Sequence, residues 1–119
     1  MKTETQDLLA NLAQGRTDFA AVLAHIDARY DFTPTAFDNG QAPHAVQNAA
    51  GQNSGSCKVF SFAQLEGLGA AQTLSLFAEH YRAVLATPQA QDHANIRNFM
   101  QQGWAGIRFA GVALVAKSS

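Results

Sequence analysis

Charge is scarce in this sequence, and so are cysteine, proline and long apolar runs. Only 14% of the 119 residues are Asp, Glu, Lys or Arg, and the net charge is −1. Electrostatic binders of nucleic acid carry a basic stripe, so that class is excluded. The charges are still spread unevenly. Residues 1–57 hold three Lys/Arg against six Asp/Glu, and residues 58–119 hold five against three. That places a mildly cationic face toward the C-terminal half. The single cysteine, Cys57, excludes an intramolecular disulfide and fits a reducing compartment or indifference to redox state. No run of 18 apolar residues exists, so no transmembrane helix is expected. The opening, Met1 to Asp7, is acidic and lacks the basic and apolar regions of a cleavable secretory signal. Export by a Sec-type route is therefore not expected.

What is present describes a folded domain. Hydrophobic residues make up 47% of the chain and include eight Phe and one Trp, a composition that buries a core. The length suits one domain spanning residues 1–119, without repeats, linkers or low-complexity tracts.

The apolar spacing predicts about five helices. Leu8, Leu9 and Leu12 form a short stripe behind Thr3 and Gln6, a possible capping box, and Gly15 stops that helix. Thr17 is the expected N-cap of the second, where Phe19, Val22, Leu23, Ile26 and Tyr30 share one face. A third helix is expected from Ser54 or Ser56 to Gly67, although Phe60 and Phe62 also fit strand alternation. The fourth runs from about Ala70 to Ala86. The fifth is capped by Asp92 and carries Ile96, Phe99 and Met100. Extended segments are predicted at Phe32–Phe37 and Pro43–Val46, either as a hairpin about an Asp38-Asn39-Gly40 turn or as two edge strands, and at 106–115. Pro34 and Pro43 keep the first two away from a fully paired central position. The expected architecture is α+β: about five helices packed on a small three-stranded antiparallel sheet.

Two polar concentrations interrupt the apolar pattern. The first, Asn48 to Lys58, combines glycines, amides, hydroxyls, Cys57 and Lys58. It is either a capped loop that satisfies its own backbone or an anion site built from converging N–H groups. It is not a P-loop, because the G-x-x-x-x-G-K-[ST] spacing is absent. Gly55-Ser56-Cys57 resembles a thiol-protease motif, but Lys58 stands where an aromatic residue belongs. His93 is the candidate base for such a thiol. The second concentration, Asp92 to Asn98, places His93 and Arg97 four residues apart on one helix face. It is either a capped helix with a local Arg97–carboxylate pair or a group able to hold an anionic or amide-bearing partner. His25, His44, His80 and His93 show no metal-ligand spacing, and no second cysteine exists to help.

As an ordered set, several stretches resemble the HopJ type III effector family. They are Phe32-Thr33-Pro34-Thr35-Ala36-Phe37 with Asn39-Gly40, then Asn48-Ala49-Ala50-Gly51 with Asn53, then Gly55-Ser56-Cys57-Lys58. They continue with Gln72-Thr73-Leu74, Tyr81-Arg82, Asp92-His93, Asn95 to Met100, and Gly103-Trp104 with Gly106-Ile107. The similarity covers nearly the whole chain, beginning in the second helix or earlier. Gly69, where the family pattern has a capping Ser, and Pro43-His44 depart from it only in loops. The resemblance implies a bacterial protein delivered into plant cells by type III secretion and associated with virulence. Taken literally, it places the chain in the host cell, and otherwise in the bacterial cytoplasm. It implies no particular reaction.

The preferred expectation is a non-enzymatic binding or interaction module with a protein or small-molecule partner. No cofactor, metal, nucleic acid or membrane is expected. The alternative is an enzyme or small-ligand pocket built from residues 48–58 and 92–98. Its candidate groups are Asn53, Ser54, Gly55, Ser56, Cys57, Lys58, His93, Asn95 and Arg97.

Overall fold

The computed structural model describes residues 2–41 and 45–117. It is an α+β fold with six α-helices and two small antiparallel sheets among those residues. The N-terminal pair is α1 (Thr3–Ala13) and α2 (Phe19–Arg29). α1 buries Leu8 and Leu12, and α2 buries Val22 and Ile26. The cap of α2 falls one residue after the predicted Thr17. The Asp18 carboxylate accepts the Ala21 N–H at 2.9 Å, which satisfies one of the donors that a helix start leaves without a partner. α1 starts behind Lys2 without a side-chain cap, so the expected Thr3–Gln6 box does not form.

α2 runs directly into β1 (Tyr30–Phe32), which pairs antiparallel with β5 (Leu114–Ala116). The second sheet has the order β3-β2-β4, from Val46–Asn48, Phe37–Asn39 and Ile107–Phe109. The predicted strand at 106–115 is thus divided between the two sheets, yet its register never slips. Gly40 lies opposite Gly106, Phe37 opposite Phe109, Phe32 opposite Leu114 and Arg29 opposite Lys117. Residues 29–40 and 106–117 form one long ribbon, opened at its middle where Pro34 can donate no ladder bond. The Thr33 N–H to Ala113 carbonyl bond (2.8 Å) and the Ala110 N–H to Ala36 carbonyl bond (2.9 Å) bracket that opening. Pro43 and His44 lie outside the described residues. β2 and β3 form a hairpin as expected, but Asp38 and Asn39, expected in its turn, are strand residues paired with Gln47 and Val46.

The core is wrapped around α3 (Ser54–Glu66), which buries Cys57, Val59, Phe60, Ser61, Phe62 and Ala63. Burial on all sides erases the helical period, which is why this segment read equally as helix or strand. Phe60 is the hub. Its ring meets Phe37, Phe77, Phe99 and Trp104 at centroid distances of 6.0, 5.4, 5.0 and 6.2 Å. Gly67 (φ 69°) closes α3 as predicted.

The predicted helix 70–86 is broken into α4 (Ala70–Ser75) and α5 (Glu79–Ala86). Leu76, Phe77 and Ala78 are consecutive and all buried, which one face of a straight helix cannot provide. The break passes through Ala78 at φ 53°, a conformation unusual for a residue with a Cβ. It sends Phe77 to Phe60 and Phe19 and re-aims α5. The last helix, α6 (Ala94–Gln102), leads through a 3₁₀ turn (Gly103–Gly106) into β4.

Candidate functional site

α3 and α6 begin in the same unusual way. Asn53 (φ 51°, ψ 47°) precedes α3 and His93 (φ 52°, ψ 48°) precedes α6, both left-handed and neither capping with its side chain. Asn and His tolerate that conformation better than most residues. Ser54, Ser56 and Asp92, the expected caps, therefore do other things. The Ser54 hydroxyl is 3.5 Å from the Gly51 carbonyl. Asp92 accepts from Arg97 Nη2 at 2.7 Å through its carboxylate and from Nε at 2.6 Å through its carbonyl. Arg97 also donates to the carbonyl and hydroxyl of Thr87, at 2.9 and 3.2 Å. Its hydrogen bonds, foremost that from Arg97, hold the Asp92 carboxyl below the ordinary carboxylate range, against a smaller opposing effect of desolvation.

The two helix starts border one cleft of about 340 Å³. Asn53, Gly55, Ser56, His93 and Asn95 line it, together with Phe19, Val46, Phe77, His80, Ala94 and Ile96. Five of the nine predicted candidates thus share a surface. The others point elsewhere, for identifiable reasons. Cys57 is 1% exposed, with Sγ 3.5 Å from the Thr35 carbonyl, and burial pushes its thiol up despite the opposing pull of Thr35 and Lys58. A raised thiol is a poor nucleophile. Lys58 pairs with Asp27 at 2.9 Å and lies over the Phe32 ring at 4.9 Å. Ser54 is not among the lining residues, and Arg97 borders separate grooves beside Leu85 and Met100 and beside Gln91 and Asn98.

Beneath the cleft lies an asparagine network. Asn95 and Asn48 exchange amide bonds at 2.9 and 3.1 Å, and Asn39 donates to the Asn95 side chain and carbonyl at 3.0 and 2.7 Å. Asn53 donates to Asn48 at 2.7 Å, and Asn98 to the Asn39 carbonyl at 3.0 Å. Asn39, Asn48 and Asn95 are 0, 3 and 6% exposed. Their bonds fasten α6 and the start of α3 to the β2–β3 hairpin, so the cleft has a rigid floor.

Sequence reasoning missed Phe19, Phe77 and His80. His80 sits edge-on to Phe19 with ring centroids 4.8 Å apart, and 5.1 Å from His93. Only the break at Ala78 brings it there, and no sequence signal marked that break. Gly55 makes room for Phe19, since an added Cβ would stand 3.1 Å from its ring. Glu79 accepts the Phe19 N–H at 2.8 Å and holds α2 against α5. Among the described residues, no group of three or more His, Cys, Asp or Glu is placed to hold a metal ion.

The fold and cleft define a small α+β domain with a polar, aromatic-walled concavity where two helices start. The family model for the HopJ type III effector protein matches residues 5–114, and the chain belongs to that family. A solved structure described as "unknown function protein VPA0580" is similar to it at 47% identity and a TM-score of 0.85. That likeness covers 98% of this chain and 97% of the other. No curated protein matches the chain. No helix of the described residues is long and apolar enough to cross a membrane.

Proposed function

We propose that the protein is a non-enzymatic binding module that holds a small anion, or an acidic group of a partner, in the cleft between α3 and α6. The observation that carries this reading is the convergence of two helix starts, of 13 and nine residues, on one concavity. The first-turn N–H groups of each helix have no acceptor within it, and each start carries roughly half a positive charge. His80 and His93 add side-chain donors, while Phe19, Phe77, Val46 and Ile96 offer apolar contact to the body of a ligand. The burial of Cys57 and the engagement of Asn53 and Asn95 in the amide network favour binding over nucleophilic chemistry.

The test is a 1H–15N titration with inorganic phosphate. Saturable shifts at the backbone amides of Gly55, Ser56, Asn95 and Ile96 are expected. Saturable shifts confined to surfaces outside the cleft would reject the site.

Delivery through a type III apparatus is supported by the family description and is part of the same proposal. A translocation reporter fused after residue 119 should give a host-cell signal that disappears in a secretion-deficient strain. No host-cell signal from the secretion-competent strain would reject delivery and leave the cleft reading intact.

A further inference from the structure

We infer that Asn39 is a self-modification site that the fold holds closed. When the chain unfolds, the Asn39-Gly40 backbone converts the side-chain amide to a carboxylate, and the product no longer rebuilds the asparagine network. Asn39-Gly40 is the one Asn-Gly pair in the sequence. The other asparagines precede Leu12, Ala49, Ser54, Ile96 and Phe99, whose side chains crowd the following nitrogen. Glycine leaves that nitrogen open and the chain free to close a five-membered ring. The reaction needs base and water alone. The Gly40 nitrogen gives up its proton and attacks Asn39 Cγ. A C–N bond forms there as the Cγ–Nδ2 bond breaks, and the nitrogen takes up a proton and leaves as ammonia. Water then opens the cyclic imide to aspartate or its β-linked isomer, so amide plus water becomes acid plus ammonia.

The folded protein denies each requirement. The Gly40 N–H is bonded to the Gly106 carbonyl at 2.9 Å. Asn39 Nδ2 donates to the carbonyl and side-chain oxygens of Asn95 at 2.7 and 3.0 Å, and the residue is closed to water. Asn39 pairs with Val46 on one side and Ile107 on the other. β2 is the central strand, so its backbone cannot turn toward Cγ without breaking two ladders. Had Asn39-Gly40 formed the exposed turn that the sequence alone predicts, the pair would react in the native state.

Conversion destroys the fit. One carboxylate oxygen then faces the two Asn95 oxygens with no proton to share. The other takes the place of Oδ1, which has no partner among the described residues. A buried charge met by acceptors alone is strongly unfavourable. The β-linked isomer also inserts an extra backbone atom into β2 and spoils its pairing on both sides.

The experiment holds the full wild-type chain at neutral pH, folded in one sample and unfolded in guanidinium chloride in the other. Peptide mass spectrometry follows amide-to-acid conversion at every asparagine. Asn39 should convert first in the unfolded chain, and at least about tenfold more slowly in the folded one. A smaller difference, or another asparagine converting first in the unfolded chain, would overturn the inference. Chains converted at Asn39 are then separated by anion exchange and freed of denaturant beside unconverted chains carried through the same steps. The converted chains should fail to refold, or should unfold at a lower urea concentration than the unconverted ones. Equal urea midpoints would overturn the loss of the network. Asn39→Asp should lower the midpoint likewise, and the wild-type comparison does not depend on that variant folding.

Discussion

Asn95 illustrates how one side chain can serve both fold and site. Its amide meets Asn39 and Asn48 below the cleft, while its residue lines the cleft wall. Asn95→Ala removes the three buried side-chain bonds that join Asn95 to Asn39 and Asn48, while Asn39 keeps the Asn95 carbonyl and Asn48 keeps Asn53, a loss of about 2–3 kcal/mol. Thermal unfolding should report it as a Tm lower by roughly 10 °C. A shift under two degrees would show that the network is dispensable. At Cys57 the relevant quantity is access. Burial both raises the thiol and hides it, so iodoacetamide should leave the native protein unlabelled up to pH ~8.5 and modify it only after denaturation. Labelling of the native protein at the denatured rate would contradict this placement.

At the scale of elements, the ribbon of residues 29–40 and 106–117 determines which sheet each end serves. Its tightest point is the junction before β4. A Cβ at Gly106 would stand 2.7 Å from the backbone N and Cα of Gly40, atoms that cannot rotate away. Gly106→Ala should therefore destabilise the protein by about 1–3 kcal/mol, measured by urea denaturation. Wild-type stability in that variant would mean the strands separate freely there. The break between α4 and α5 has the opposite character. It accepts an unfavourable backbone at Ala78 and in return buries Leu76 and Phe77 and brings His80 to the cleft.

For the whole molecule, acid should be the weak direction. The Glu66 side chain is 5% exposed and accepts from the Thr5 and Tyr30 hydroxyls, with Lys2 at 3.6 Å. Burial pushes its carboxyl up, but these hydrogen bonds and the Lys2 charge together outweigh burial and hold it below the ordinary value. The folded value is the lower one, so the contribution is complete above the unfolded carboxylate range, about pH 4.3, and is lost as pH falls through the folded value. His25 is lowered, first by burial and then by Arg29. Its unfolded form binds the proton more readily, so stability also declines below about pH 6.5. Tm measured against pH should fall in two stages, and Glu66→Gln should reduce the lower one, to which the lowered Asp92 also contributes. An unchanged lower stage in that variant would assign it to another carboxylate.

The sequence by itself determined the α+β class, the family, most helix positions and the polar character of residues 48–58 and 92–98. Those features depend on local pattern: apolar spacing, the Gly67 stop and short motifs in fixed order. Only the tertiary structure decided which polar groups meet. Ser56, His93 and Asn95 share a cleft because the asparagine network fixes both helix starts to the β2–β3 hairpin. Arg97 and Lys58 leave it because Asp92 and Asp27 lie within reach elsewhere. His80 enters it because three consecutive buried residues break the preceding helix. The Arg97–Asp92 pair is local and is one of the two readings that the sequence allows for residues 92–98. The Lys58–Asp27 pair and the asparagine network join partners far apart in the chain, where no local pattern can choose between a solvated charge, an ion pair and a cleft wall.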